Sequence, residues 1–89
     1  MIILPGGLGG ANFFQKSTLV QSLLKLFNDC NKFIAAICAA PIALDSSGVL
    51  QNHTFTCYPG IEKQIHAGTF VDQQIVHSGN IITAYEMFL

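Results

Sequence analysis

The sequence contains few charged residues. Only 10% of its 89 residues are Asp, Glu, Lys or Arg, against about 25% in an ordinary soluble domain. It has no arginine, and its net charge of −1 argues against the basic surface that nucleic-acid binding requires. Disorder is excluded because 51% of the residues are hydrophobic, whereas disordered chains are rich in charge and poor in apolar side chains. This composition is typical of the buried middle of a parallel sheet.

Long hydrophobic runs and cysteine pairs are also missing. Charge-free runs such as Phe33–Leu44 are shorter than the roughly 18 apolar residues of a spanning helix, so we expect no membrane partner. Met1 leads straight into an apolar strand without the basic region and cleavage site of a signal peptide. The sequence has no CxxC motif and its histidines lack metal-ligand spacing, so no metal site is predicted. Unpaired cysteines indicate a reducing, cytoplasmic compartment; the three cysteines are Cys30, Cys38 and Cys57.

The hydrophobic pattern predicts alternating strands and helices. Helices are predicted from an N-cap at Ser17 to about residue 30, from Pro41 to a stop at Gly48, and briefly over Ile61–Ile65. This order implies one α/β domain with parallel pairing and helices on both faces of the sheet. The predicted strands are Met1–Leu4, Phe33–Ile37, Thr54–Tyr58, Phe70–Val76 and Asn80–Thr83, and Tyr85–Leu89 is predicted to start a further helix.

Cys38 lies where a predicted buried strand runs directly into a predicted helix. Ala36 and Ala40 give it the small–x–nucleophile–x–small pattern of a nucleophile elbow. The tight turn needs small neighbours and holds the nucleophile at the carboxyl end of the sheet. The free N–H groups of the following helix favour a thiolate, and the N–H of Ala39 would face an oxyanion. Free cysteine is also often a small buried hydrophobe, so the pattern alone leaves both interpretations open.

The glycine cluster Pro5–Gly10 is predicted to be a tight turn after the first strand. It is not a dinucleotide fingerprint, because the third glycine of that motif would fall on Asn12. Its backbone N–H groups either supply the second half of an oxyanion hole or have no role beyond the turn. Tyr58, at the end of a predicted strand, either lines a pocket or packs as an ordinary strand residue.

Three motifs together resemble the ThiJ/PfpI family, also called the Parkinsonism-associated deglycase family. They stand in the family's order and at family-like spacing, and the resemblance extends from Ile2 to Leu89. It implies a flavodoxin-like α/β three-layer sandwich of the class I glutamine-amidotransferase-like type, present in part as one domain over residues 1–89. The motifs are Leu4-Pro5-Gly6-Gly7, Ala35-Ala36-Ile37-Cys38-Ala39-Ala40-Pro41 and Thr56-Cys57-Tyr58-Pro59-Gly60.

The same resemblance implies roles for individual residues. Cys38 is the catalytic cysteine, which is both nucleophilic and prone to oxidation. Gly7 and Ala39 supply the N–H groups that hold the oxyanion, and Gly6 and Tyr58 contact the substrate. Reported family activities are the cofactor-free conversion of methylglyoxal to lactate, repair of early glycation adducts, redox sensing and chaperone-like roles. The resemblance therefore implies small aldehydes, dicarbonyl compounds or glycated proteins as partners, no cofactor, and a homodimer.

The chain departs from the family pattern in three places. The family's N-terminal segment, which carries a glutamate that acts in proton transfer, has no counterpart here. Many members have histidine in place of Tyr58, and a phenol with a pKa of about 10 is a poor base at neutral pH. The family's loop after the last strand is missing, since Thr83 passes directly to Ala84 and Tyr85, and the helix behind it is cut short.

Three functions follow from these observations. The first is a cysteine-dependent glyoxalase or deglycase, in which Cys38 attacks a dicarbonyl carbon. The second is redox sensing without turnover, through oxidation of Cys38 to sulfinic acid. The third is a non-functional fragment, which the shortness and low charge of the chain favour, and for which we expect an insoluble, oligomeric or molten state.

Overall fold

The computed structural model describes residues 1–6 and 8–86, apart from the side chain of Leu8. No helix in this part of the chain is long and apolar enough to cross a membrane. In chain order the elements are β1 (Ile2–Leu4), α1 (Leu8–Lys16), α2 (Thr18–Asp29), β2 (Ile34–Ile37), α3 (Pro41–Ser47), β3 (Thr54–Phe55), a 3₁₀ turn (Ile61–Gln64), β4 (Thr69–Phe70), β5 (Ile75–Ser78) and β6 (Ile81–Ala84).

Four of the strands form one sheet in the spatial order β1, β2, β6, β5. The pairs β1–β2 and β2–β6 are parallel, as predicted. β5 and β6 are antiparallel, because only Gly79 and Asn80 separate them, and a connection so short reverses the chain direction. β3 and β4 form a separate parallel pair, and β3 packs against β5 and β6. The predicted α/β class with a mostly parallel sheet is confirmed.

The hydrophobic core lies on one face of the four-stranded sheet. Along β2, Ile34 and Ala36 are buried, whereas Ala35 and Ile37 are only half-buried, because successive side chains of a strand point to opposite faces. The three helices contact one another and pack on the buried side. The expectation of helices on both faces is therefore wrong for the described residues. The cluster that joins helices and sheet includes Leu4, Phe14, Leu24, Ile34, Ala36, Ala43, Leu44 and Ile81.

The predicted helix ends agree with the structure. Ser17 caps α2, since its hydroxyl oxygen accepts the N–H of Val20 at 3.3 Å. Pro41 occupies the first turn of α3, where its missing N–H costs no hydrogen bond. Gly48 ends α3 with a φ of 80°, in the left-handed region that favours glycine.

Several predicted elements have different boundaries in the structure. The cluster Pro5–Gly10 is not a turn throughout, because α1 begins at Leu8. This helix tolerates its glycines because it packs on α3 and buries Ala11 completely; such tertiary contacts override low helix propensity. The predicted strand Thr54–Tyr58 ends at Phe55. The N–H of Thr56 donates to the side-chain hydroxyl of Thr83 and not to a main-chain carbonyl of a neighbouring strand.

The predicted strand Phe70–Val76 is two separate strands. β4 ends at Phe70, and β5 begins at Ile75 and continues through Ser78, where a connection was predicted. The pairing of β5 with β6 explains this extension, since Ser78 lies opposite Ile81 across the hairpin. Of the predicted terminal helix, residues 85 and 86 form a bend and residues 87–89 lie outside the described residues.

Candidate functional site

Cys38 lies between the end of β2 and the start of α3, in an unusual backbone conformation. Its φ is 60°, in the left-handed region where residues other than glycine are uncommon and where strain accumulates at functional sites. Its N–H donates to the carbonyl of Ala84, and its own carbonyl accepts the N–H of Tyr58, both at 2.9 Å. These two hydrogen bonds hold the strained residue from both sides, and its half-buried side chain stays within reach of solvent.

Gly6 provides the space that the Cys38 side chain occupies. A Cβ atom added at Gly6 would lie 2.8 Å from both the Cβ and the Sγ of Cys38. The approach is this close because β1 and β2 are parallel neighbours, so the residues that follow them meet at one edge of the sheet. Gly6 therefore lies against the sulfur; the substrate contact that the family resemblance implies for it stays a prediction.

Ala39 carries a buried N–H group without a partner among residues 1–6 and 8–86. The N–H groups on either side of it are both used, because Cys38 donates to Ala84 and Ala40 donates to the carbonyl of Ile37 at 3.0 Å. Ala39 itself is only 4% exposed. Buried backbone donors are almost always paired, and the role predicted for this N–H, to donate to a bound oxyanion, stays a prediction.

The remaining predicted site residues are Tyr58 and Gly7. Tyr58 is tied to Cys38 through its main chain, while its side chain is 52% exposed. Gly7 lies outside the described residues, so its predicted role stays a prediction. The structure brings together Cys38, Ala39, Gly6 and the main chain of Tyr58.

The other two cysteines have different surroundings. Cys30 is exposed at the end of α2. Cys57 is buried, and burial together with the negative charge of Glu62 raises the pKa of its thiol to about 12, although a hydrogen bond from the Glu62 backbone opposes this. Cys57 is therefore a neutral thiol at physiological pH and a poor nucleophile. Among the described residues, no cluster of His, Cys, Asp or Glu is suited to hold a metal ion.

Sequence reasoning missed the contribution of β6 to this site. The carbonyl of Ala84 holds the N–H of Cys38, and the buried hydroxyl of Thr83 accepts the N–H of Thr56 at 2.8 Å. The Thr56 hydroxyl in turn donates to the carbonyl of Gln73 at 2.7 Å. These contacts depend on which strands are neighbours, and the only signal in the sequence was the short hydrophobic run before Ala84.

A mostly parallel sheet with a cysteine between a central strand and the following helix defines an α/β protein with a flavodoxin-like fold. Residues 1–87 match the DJ-1/PfpI family, and the chain belongs to this family. The family resemblance carried by the three sequence motifs is thereby confirmed.

Individual relatives support the same assignment. Protein dj-1beta of Drosophila melanogaster is 41% identical over 86 residues, which are 94% of this chain and 46% of that protein. A deglycase of Pyrococcus horikoshii is 35% identical over 85 residues, 93% of this chain and 51% of that protein. The crystal structure of Drosophila DJ-1beta superposes with a TM-score of 0.89 at 41% identity, covering 93% of this chain and 46% of that chain. The chain thus spans about half the length of these relatives.

Proposed function

We propose that this chain is a cysteine-dependent protein of the glyoxalase or deglycase type, with Cys38 as the nucleophile and the reducing cytoplasm as its location. Its substrates would be methylglyoxal or early glycation adducts, and no cofactor would take part. The observation that carries this proposal is the strained, doubly hydrogen-bonded backbone of Cys38 at the carboxyl end of β2. The deglycase name of a relative supports the substrate class.

The proposed first step is an addition that needs no leaving group. The Cys38 thiolate attacks the aldehyde carbon of methylglyoxal, a C–S bond forms, and the carbonyl π electrons move onto the oxygen. The unpartnered N–H of Ala39 would donate to that oxyanion, and donors placed in this way contribute strongly to the catalysis of reactions at carbonyl groups. Protonation of the oxygen by water then gives a hemithioacetal.

Turnover beyond the hemithioacetal requires a proton to move between neighbouring carbons. The family uses a glutamate for this transfer, and no residue of this chain matches it. These 89 residues alone are therefore expected to form the adduct faster than they convert it, so that their lactate production is low compared with covalent capture.

The test is a comparison of adduct formation in cysteine variants. Native intact-mass spectrometry in the presence of methylglyoxal, without a reducing agent, should show one hemithioacetal adduct, which is lost in Cys38→Ser. Cys30→Ser is the matched control, because it removes an exposed cysteine at the end of α2 and should leave the adduct intact. Equal labelling of Cys30 and Cys38, or an adduct that persists in Cys38→Ser, would contradict the proposal.

Redox sensing through the same cysteine is the second candidate function. A solved structure of Toxoplasma gondii DJ-1, which is 32% identical to this chain with a TM-score of 0.82, is of the oxidised protein. The half-buried sulfur of Cys38 is accessible to peroxide, and the Ala39 N–H would also suit the oxygens of a sulfinate. If peroxide converts Cys38 to the sulfinic acid while methylglyoxal gives no adduct, the redox function is favoured. If both reagents label the three cysteines without preference, the third possibility, a non-functional fragment, is favoured.

A further inference from the structure

Two separate segments of the chain hold Cys38, one at its N–H and one at its carbonyl. The carbonyl of Ala84, on β6, accepts the Cys38 N–H, and the N–H of Tyr58 donates to the Cys38 carbonyl, both at 2.9 Å. A left-handed φ such as the 60° of Cys38 persists only where the surrounding structure imposes it. The conformation of Cys38 therefore depends on how β6 and the segment around Tyr58 are placed relative to each other.

The side chain of Thr83 joins these two segments. Its hydroxyl oxygen accepts the N–H of Thr56 at 2.8 Å, and both threonines are buried. Thr83 immediately precedes Ala84, and Thr56 lies two residues before Tyr58. Three hydrogen bonds and the intervening main chain thus close a ring, which we name the Cys38 ring. It runs through Cys38, Ala84, Thr83, Thr56 and Tyr58.

Each of the two joined segments has a further anchor of its own. Thr83 lies opposite Ala36 of β2 on one side and Val76 of β5 on the other, so β6 is held by both neighbouring strands. The hydroxyl of Thr56 donates to the carbonyl of Gln73 at 2.7 Å. The bond between the two threonines therefore fixes the spacing between two segments that the fold already holds in place.

We propose that Thr83 is a positioning residue for Cys38, a role that rests on the proposed function of Cys38 as the nucleophile. Thr83 acts through the main chain and not on the substrate. Its hydrogen bond to Thr56 keeps the donor and the acceptor that hold Cys38 at the spacing that imposes the left-handed φ. Backbone strain maintained in this way is common at functional sites, where it fixes the geometry of the reacting group.

Removing the Thr83 hydroxyl should release this geometry. The buried N–H of Thr56 would lose its acceptor, which is costly, so the segment that carries it would move towards another acceptor. Cys38 would then relax towards a negative φ, and its sulfur would leave the position against Gly6. Because a reacting group misplaced by about 1 Å can lose about a hundredfold in rate, we expect a decrease of at least about tenfold.

The test is the rate at which methylglyoxal forms the Cys38 adduct, followed by native intact-mass spectrometry in three variants. Thr83→Val keeps the shape of the side chain without its acceptor and should slow adduct formation at least about tenfold. Thr83→Ser retains the hydroxyl and should restore the wild-type rate. Ile81→Val is the matched control, because it weakens the same strand at a fully buried position and leaves the Cys38 ring intact. It should react at the wild-type rate.

Amide measurements examine the same role without methylglyoxal. In ¹H–¹⁵N NMR spectra, Thr83→Val should move the amide signals of Cys38 and Tyr58 much further than Ile81→Val does. In the wild type, the amides of Thr56, Tyr58 and Cys38 should show similar protection against hydrogen exchange, because one ring holds all three. This second measurement needs no variant, so it decides the matter even if Thr83→Val does not fold.

The proposal is overturned if Thr83→Val reacts at the wild-type rate, or if Thr83→Ser does not restore it. An equal decrease in Ile81→Val also overturns it, because lost stability would then be the cause, as does a Thr56 amide that exchanges much faster than those of Cys38 and Tyr58. If the wild type forms no adduct, the proposed function fails instead. The amide signals and their exchange then decide alone whether Thr83 positions Cys38.

Discussion

Replacing Gly6 by alanine tests the arrangement of the candidate site most directly. The added methyl group would lie 2.8 Å from the Cβ and Sγ of Cys38, and 3.5 Å from the carbonyl oxygen of Ile37. The first two separations are well below van der Waals contact. The Cys38 side chain must therefore change rotamer, or the turn after β1 must move away from β2.

The energetic cost of Gly6→Ala is mainly steric. The φ of Gly6 lies outside the left-handed region, so alanine adds no backbone strain there. Overpacking in a packed site costs about 1–3 kcal/mol, and the lower entropy of the unfolded alanine chain offsets about 0.4–1 kcal/mol of it. We expect a net loss of about 1–2 kcal/mol in the free energy of unfolding.

Urea denaturation and mass-resolved alkylation of Cys38 measure the two consequences of this substitution. Gly6→Ala should lower the denaturation midpoint and change the alkylation rate of Cys38 by about tenfold relative to Cys30, equivalent to ~1.4 kcal/mol. Gly10→Ala is the matched control, because its methyl group would meet only Phe14 Cε2 at 3.9 Å and should stabilise α1 by about 0.5–1 kcal/mol. A Gly6→Ala protein with wild-type midpoint and wild-type Cys38 reactivity would refute the proposed contact.

Three further predictions concern stability. Because the pKa of the Cys57 thiol rises to about 12 on folding, the folded state keeps a proton that the unfolded state loses above about pH 9. The free energy of unfolding should therefore fall by up to about 1.4 kcal/mol per pH unit between these values; urea titrations at several pH values measure the slope. Thr83→Val leaves the buried N–H of Thr56 without its acceptor and should cost about 1–3 kcal/mol by the same assay. Ser17→Ala removes the cap of α2 and should cost about 1 kcal/mol, measured by thermal unfolding.

Each of these predictions has a control within the chain. Cys57→Ala should flatten the alkaline slope, and an unchanged slope would show that other groups cause it. Thr54→Val changes an exposed threonine of β3 and should be nearly neutral, so an equal loss in both threonine variants would contradict the role of the Thr83 hydroxyl. Ser22→Ala lies within α2, where alanine is the better helix former; if it destabilises as much as Ser17→Ala, the cap is not the cause.

Local sequence signals predicted the elements whose structure depends on neighbours in the chain. Ser17 begins α2 through its side-chain hydroxyl, and Gly48 ends α3 through its left-handed φ. The continuous apolar run before Cys38 is the strand β2, which pairs with a neighbouring strand on each side. α1 was not predicted, because its glycines disfavour a helix and its stability comes from packing on α3. The interruption between Phe70 and Ile75 was missed for the same reason, since it depends on the pairing of β5 with β6.

The candidate site likewise combines features that local sequence predicts with features that depend on distant strands. Cys38 and its small neighbours were found because the elbow pattern is local in sequence. The support from Ala84 was not found, because it requires β6 to lie beside β2, and these two strands are far apart in the chain. The described helices all lie on one face of the sheet, and the apolar run of a strand does not show which elements cover its second face.

The position of Cys38 depends on main-chain contacts more than on side chains. The carbonyl of Ala84 and the N–H of Tyr58 hold it, so the site persists only while β6 remains beside β2. Ile37, the residue before Cys38, is half-buried on the sheet face opposite the helices, because successive side chains of β2 point to opposite faces. The strained turn therefore depends on the pairing of β2 with β6 and not on its own residues alone.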